Sequence, residues 1–488
     1  MGTKVGRLKN YCPAERLFAA FHRETAAFLD SSLENAYGRY SVIGRYPYLR
    51  AEENLGRLRV NGREMDGTLL GFLSRYLKEN REENETGLPM ISGAVGYLSY
   101  DYGRSFEQIS TRHVKELDMP EGLFTFYDLY VIDDLEKKEL YICTGERLHS
   151  YEWYESELSE LAGMPDRKIA GGTELPDECE KGGKEAGGES SVSSDFTKQE
   201  YLEAIHSMIE YIRSGDIYIA NMTRQIKVKC DIAPYEVFRY LRRHNPSPFG
   251  GYLNEQNFQI ISASPERFLR IRAGNVETRP IKGTRKRGKT QEEDRRLRME
   301  LEASEKDRSE LLMIVDLERN DLNRVCEPGS VQVTELFAVE SYATVFHLVS
   351  TVTGQLKAGK TAADLIGAAF PGGSITGAPK IRAMEIIDEL EHSRRGLYTG
   401  SIGYLSMNGD CDLNIVIRTA VHQNGTYHWG REAELRRNLS RNLNMTRLGR
   451  KPGLLWRQLQ EVTKDGWTID SGRRILVWAG RLRDNPGV

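Results

Sequence analysis

Tight-turn residues set between short alternating segments recur along this chain, and they limit what it can fold into. Asn61-Gly62 separates GRLRV from REM, and Ala273-Gly274-Asn275 separates RFLRIR from VETRP. Turns this short join antiparallel neighbours, whereas parallel strands need a crossover of a dozen residues or more. A final hairpin pair reads from GSIGYLSMNGDCDLNIVIRTA to VHQNGTYHW. The runs LFTFYDLYVIDD, IYIANMTRQIKVKC, FQIISAS and YATVFHLVSTVTG are strand-like, rich in aromatic and β-branched residues. Hairpin signals outnumber strand–helix–strand units. The chain is therefore expected to be α+β and antiparallel rather than a doubly wound parallel sheet.

Helices are marked as sharply. Thr197 and Glu200 form a capping-box pattern, Tyr201, Ile205, Met208, Ile209 and Ile212 share one face, and Gly215 stops the helix. TLLGFLSRYLKE has helical spacing. QEEDRRLRMELEASEKDRSELLMIVDLERND predicts one long charged helix, and the glycines and Pro379 of PGGSITGAPK precede another. Residues 164–194 are rich in Gly, Glu, Lys and Ser with almost no large apolar side chains, which predicts a flexible linker. It separates an N-terminal region, 1–163, from a region of chemistry, 195–429.

Bulk properties exclude some functions. A net charge of −3 over 488 residues gives no polyanion-binding signal, so no nucleic-acid partner is expected. No apolar run approaches the ~18 residues of a membrane span, and the first ten residues look nothing like a signal peptide. The six cysteines are scattered without a CxxC pair, which argues against a zinc site or a disulfide framework. A cytoplasmic protein without membrane partners is expected.

Candidate chemistry gathers at ETRPIKGT. Pro280 fixes its backbone and stops a ladder, while Gly283 lets the chain approach a neighbour closely. If the hairpin is regular about Gly274, Glu266 of SPE lies beside Lys282, both being eight residues from the turn. Such a pair is either a cross-strand salt bridge, worth ~0.2–1 kcal/mol when exposed, or an acid beside an amine nucleophile. Spacing leaves both open. Taken as residue types, Glu310 is a solvated helix glutamate or a metal ligand, and His347 in an apolar strand is by default a satisfied core histidine. PGGSITGAPK offers an anion-binding helix start but no Walker loop, since no Gly-Lys-Ser/Thr follows.

In their order, SGDIYIANMTRQ, ISASPERFLR, ETRPIKGT, ASEKDRSELLMIVDLERNDL, FHLVSTVTGQL, AAFPGGSITGAPKIRAMEIIDELE, YTGSIGYLS and LNIVIRTA resemble the motifs of the chorismate-utilising enzymes. The resemblance covers nearly all of 195–429. FLDSSLENAYGRYSVIGRYP and ISGAVGYLSYDYGRSFE carry it into the N-terminal region, where FLDSS resembles a tryptophan-binding segment. It implies the fold of that family, large antiparallel sheets packed as a sandwich with flanking helices. Where Lys282 stands, the anthranilate synthases have alanine (PIAGT), and PIKGT resembles the aminodeoxychorismate synthases of 4-aminobenzoate and folate synthesis. The resemblance implies that Lys282 adds to ring carbon 2 of chorismate and that Glu266 protonates the departing hydroxyl. It implies substrate contacts from Gly283, Thr284, His347, Thr376, Gly377, Tyr398 and Arg418, and a Mg²⁺ ligand in Glu310. The chain has no Gly-x-Cys-x-Gly glutaminase nucleophile, so ammonia is expected from a glutamine amidotransferase partner subunit. An anthranilate synthase large subunit and an inactive copy are the alternatives.

After Trp429 the resemblance stops. The family continues with a glycine-rich segment and a helix resembling PExEYxET, whose glutamates complete the Mg²⁺ site. Here residues 431–451 hold six arginines, one lysine and two acidic residues, a charge that opposes cation binding. Reading the third base of each codon with the first two of the next, with codons chosen within the degeneracy, residues 431–456 can encode GGGITSESEPELEYDETWKKARALM. The 430–488 tail is therefore expected to be frameshifted; the alternative is a divergent natural arm.

Overall fold

The computed structural model describes residues 2–33, 37–107, 109–165, 191–342 and 345–436, with the short strands Trp467–Ile469 and Leu476–Trp478. Among the described residues twenty-two strands join one network, and the last two pair with each other. Its ladders run antiparallel, as the turns predict. Val60 faces Arg63 across Asn61-Gly62, whose φ values of 49° and 77° give the twist a two-residue hairpin requires. Among the described residues no helix is long and apolar enough to cross a membrane.

Strands from either side of the connector interleave. Ala26–Asp30 lies against Phe249–Asn254, and Gly93–Leu98 against Ser401–Ser406. Of the expected linker, Ser191–Ser194 forms a strand instead, paired with Ile219–Lys229. Ladder hydrogen bonds rather than apolar burial hold it there, since Val192 stays exposed. Residues 166–190 of the linker lie outside the described residues.

The helix Lys198–Ser214 has both arms of its capping box, buries the five expected apolar residues and ends on Gly215 at φ 88°. The single charged helix expected over 291–321 is instead two, Gln291–Glu302 and Glu305–Asn323. Ser304 makes the break: its hydroxyl accepts the Asp307 N–H at 3.3 Å and so caps the second helix. That second helix packs on Ile281–Lys286 and Val345–Gln355. It buries Asp307, Glu310, Glu318 and Asp321 beside Leu311, Ile314, Val315 and Leu322. Four buried carboxyls on one helix are unfavourable unless each finds a partner or a proton.

The Gly274 hairpin departs from expectation by one residue. Arg272 faces Asn275 and Arg270 faces Glu277, around a two-residue turn, Ala273-Gly274, with φ 49° and 78°. Continued inward, this register sets position 266 against 281 rather than 282. Pro280, without an N–H, also interrupts the second arm between Asn275–Thr278 and Ile281–Lys286. Strand pairing is thus not what joins Glu266 to Lys282.

Candidate active site

A third segment brings those two side chains together. Ser374 lies in the short turn Gly373–Ile375. Its backbone oxygen accepts Lys282 Nζ at 2.8 Å, and its hydroxyl donates to Glu266 Oε1 at 2.9 Å. Asn221 Nδ2 donates to the same backbone oxygen at 2.7 Å. Lys282 is 8% exposed and Glu266 6%, so neither is the solvated loop charge that their sequence context allowed. Gly373 permits the arrangement, because a Cβ there would stand 2.6 Å from Leu317 on the carboxyl-bearing helix.

The electrostatics favour an acid that works near neutrality. Burial pushes the Glu266 carboxyl up to about 7, against the lowering effects of the Lys282 charge and the Ser374 hydroxyl. A carboxyl so placed holds its proton for part of the time at pH 7 and can deliver it to a leaving oxygen.

Gly283 and Thr284 continue the strand. Gly283 has φ 78°, and a Cβ on it would lie 2.8 Å from the Cβ of Asp307. Thr284 pairs with His347, and their side chains share a hydrogen bond, Oγ1 to Nδ1, at 2.9 Å. His347 is buried, and its Nε2 has no hydrogen-bond partner among the described residues. Burial, then the nearby Arg418 charge, push His347 down to about 3. It is a neutral imidazole, and Arg418 lies close enough to act on it.

Thr376 and Gly377 share the Ser374 segment but serve its backbone. The Thr376 hydroxyl donates to Gly372 O at 3.0 Å, and Gly377 pairs with Ala220 so closely that a Cβ would meet Ile219 O at 2.3 Å. Ahead of the helix start the segment presents carbonyls: Ile375 O accepts Arg395 at 2.9 Å, as Ser374 O accepts Lys282. Arg395 is in turn paired with buried Glu391 at 2.7 Å. Tyr398, also buried, leans on Gly430, where a Cβ would stand 2.0 Å from its ring. Two residues further along that strand, Glu432 points to the same side. Its charge raises both Glu266 and Tyr398. The tail thus enters the neighbourhood of the site at once.

The described residues do not complete a Mg²⁺ site. Glu310 is buried on its helix, but Asp307 is committed to Arg285 at 2.9 Å. Among the described residues no three His, Cys, Asp or Glu side chains converge as metal ligands. One helix carboxylate falls short of the oxygen shell this ion takes. The segment expected to supply further glutamates lies, after Arg436, outside the described residues.

Sequence reasoning missed Ser374, Asn221 and Arg395. Ser374 had a local signal, a hydroxyl residue inside a glycine turn. The other two become visible only when strands distant in sequence are paired.

The FLDSS segment lies at a separate cleft of about 290 Å³, lined by Asp30, Ser31, Arg39, Arg267 and Asp412 among others.

The profile of the chorismate binding enzymes matches residues 34–432, a span holding Lys282, Glu266, Ser374 and the residues around them. Aminodeoxychorismate synthase component 1 of Bacillus subtilis (strain 168) is 41% identical over 399 residues, covering 80% of this chain and 83% of that protein. Anthranilate synthase component 1 of Acetivibrio thermocellus is 35% identical over 419 residues, covering 84% and 85%. The crystal structure of anthranilate synthase component I from Streptococcus pneumoniae TIGR4 superposes with a TM-score of 0.72 at 30% identity, covering 83% of this chain and 89% of that one. With its antiparallel network and a buried lysine–glutamate site inside the matched span, the chain belongs to the chorismate binding enzyme family.

Proposed function

We propose that the chain is component I of an aminodeoxychorismate synthase, converting chorismate and ammonia to 4-amino-4-deoxychorismate in the cytoplasm. The observation that carries this reading is the placement of Lys282, buried and tied through Ser374 to an acid poised near neutrality. Lys282 as free amine forms a bond to ring carbon 2, the ring double bonds shift, and the bond from carbon 4 to its hydroxyl breaks. Glu266 gives its proton to that hydroxyl, which leaves as water, and regains one from the lysine nitrogen. Ammonia then attacks carbon 4, the ring double bonds shift back, the carbon 2–nitrogen bond breaks, and Lys282 leaves as the free amine with a proton given up by the incoming nitrogen. The sum is chorismate plus ammonia giving the amino product plus water, with the enolpyruvyl group retained.

In this reading Tyr398, Arg418, Gly283, Thr284, Thr376, Gly377 and His347 surround the substrate, Arg418 by a charge-assisted fork to a carboxylate. Neutral His347 suits a pocket wall that stays uncharged while the ring reacts. Ammonia comes from a glutamine amidotransferase subunit. Mg²⁺ belongs to this reading through Glu310, with its remaining ligands in the ending that this chain lacks.

The product assay tests the reading. With the ending restored, the chain given chorismate, ammonium salts and Mg²⁺ should yield a 4-amino product without pyruvate, and its Lys282→Ala variant should not. Release of pyruvate with 2-aminobenzoate would favour an anthranilate synthase, a second reading supported by the 35% identical relative.

The ending is read as a frameshift product. Arg431 and Glu432 stand in the strand beside Tyr398, where the alternative frame can restore glycines. The chain as written should bind Mg²⁺ and chorismate poorly, and restoring the frame should tighten both. Equal activity of the two chains over a Mg²⁺ titration would reject this, as would a gene in which the alternative frame does not encode the ending.

A further inference from the structure

Of the four carboxyls buried on the helix Glu305–Asn323, Glu318 is the one for which the reaction gives no use and the described residues give no ion pair. Asp307 pairs with Arg285 at 2.9 Å and Asp321 with Lys380 at 2.6 Å. Glu310 is the expected metal ligand, eight residues back and so about 12 Å along the helix axis. No ion pair reaches Glu318 among the described residues, although it is only 6% exposed. It meets Thr278, whose Oγ1 lies 3.0 Å from Oε2.

That contact fixes where the proton is. The same Thr278 hydroxyl lies 2.7 Å from the backbone oxygen of Phe268. A hydroxyl has one proton, and a carbonyl can only accept. With the hydroxyl's proton on the shorter contact, the other is a hydrogen bond only where Glu318 Oε2 donates to the threonine oxygen. A carboxylate could not do so; a carboxylic acid can.

We propose that Glu318 is held as a neutral carboxylic acid and acts as a positioning residue for Glu266, through the chain from Glu318 to Thr278 to Phe268. Phe268 lies two residues after Glu266, so the chain anchors the strand start that aims the acid. Charge logic gives the second half of the role. Two buried carboxyls within electrostatic reach do not both ionise readily. Glu266 has the Lys282 cation and the Ser374 hydroxyl to receive its negative charge, whereas no ion pair reaches Glu318 among the described residues and Phe268 O takes the Thr278 proton. Glu266 is therefore the member that ionises, and Glu318 keeps the proton that spares it a like-charged neighbour.

The surroundings agree. Burial raises Glu318 to about 8, helped by the charges of Glu266 at the head of its strand and Asp321 on its own helix. The Lys380 cation, from a neighbouring helix, opposes this without overturning it. Glu266, at about 7, ionises first.

The inference rests on reading Glu266 as the acid, but infrared spectroscopy tests it without turnover. At pH 7 the difference spectrum between the chain and Glu318→Gln should show the loss of a protonated-carboxyl band. The Glu266 band, assigned with Glu266→Gln, should titrate within about 0.3 unit of the same pH whether residue 318 is Glu or Gln, since a neutral neighbour exerts no like-charge shift. Loss of a carboxylate band at pH 7 would overturn the proposal. So would a Glu266 midpoint that falls by about a unit or more in Glu318→Gln. In turnover, Glu318→Leu should lower kcat about tenfold, the worth of one hydrogen bond, with rescue by Gln and an unmoved KM. Leu and Gln variants of equal kcat would contradict the positioning role. A wrong product assignment would appear in the product assay and leave the infrared result unaltered.

Discussion

Ser374→Ala is the sharpest perturbation of the site, because it removes one hydrogen bond and leaves the backbone oxygen that holds Lys282 in place. The Ser374 hydroxyl donates to Glu266 at 2.9 Å inside a fully buried pair. A hydrogen bond to a charged group is worth ~1.5–3 kcal/mol, and 1.36 kcal/mol corresponds to about one pKa unit. The donor favours the ionised carboxylate, so its loss raises the Glu266 pKa, by about 1–2 units on this arithmetic. Glu266 acts in its protonated form, and activity falls as pH rises through its pKa. The limb expected at about 7 should therefore move up to about 8–9 in the variant. The assay is kcat/KM for chorismate against pH, with the free ammonia concentration held constant. The position of the limb carries the test rather than its height, so a slow enzyme still answers. A limb that stays put, or moves toward acid, would refute the claim that Ser374 stabilises the Glu266 charge.

Three further outcomes follow from the geometry. Gly283→Ala should destabilise the chain by about 2 kcal/mol or more, because φ 78° disfavours a side chain and the new Cβ meets Asp307, and thermal unfolding reads it. His347, pushed down to about 3, should show the nitrogen NMR signature of a neutral ring from about pH 5 to 8, and an imidazolium signal at pH 6 would contradict its environment. Glu391→Ala strands the buried Arg395 guanidinium and should lower the urea midpoint by the equivalent of about 3–5 kcal/mol; an unchanged midpoint would show that the pair is dispensable.

Local chemistry was legible in the sequence wherever neighbours in the chain decide it. Thr197 and Glu200 announced a helix start, Gly215 its end, and Asn61-Gly62 a hairpin, because caps and tight turns are settled within a few residues. The break at Ser304 was written there too, as a serine three residues before an aspartate, but the helical charge pattern on both sides obscured it. The register about Gly274 turned on whether Asn275 belonged to the turn or the strand, and one residue moves every pairing. The site itself was legible as motifs and not as geometry. Among the described residues Ser374, 92 residues from Lys282, bridges it to Glu266, and no spacing rule reaches that far. Glu318 looked like any of the glutamates on a charged helix, because its burial is decided by the strands it packs against. The glycine motif, read for its helix start, also holds a turn that faces its oxygens toward Lys282 and Arg395.

The account rests most heavily on the bond that Lys282 makes. Intact and peptide mass spectrometry of the chain, and of its frame-restored form, quenched with chorismate in the absence of ammonia, tests it directly. The account predicts an added mass of chorismate less one water on the peptide carrying Lys282, discharged when ammonia is supplied and absent from Lys282→Ala. No adduct in either form, together with a Lys282→Ala variant that still makes the 4-amino product at the unmutated rate, would contradict it.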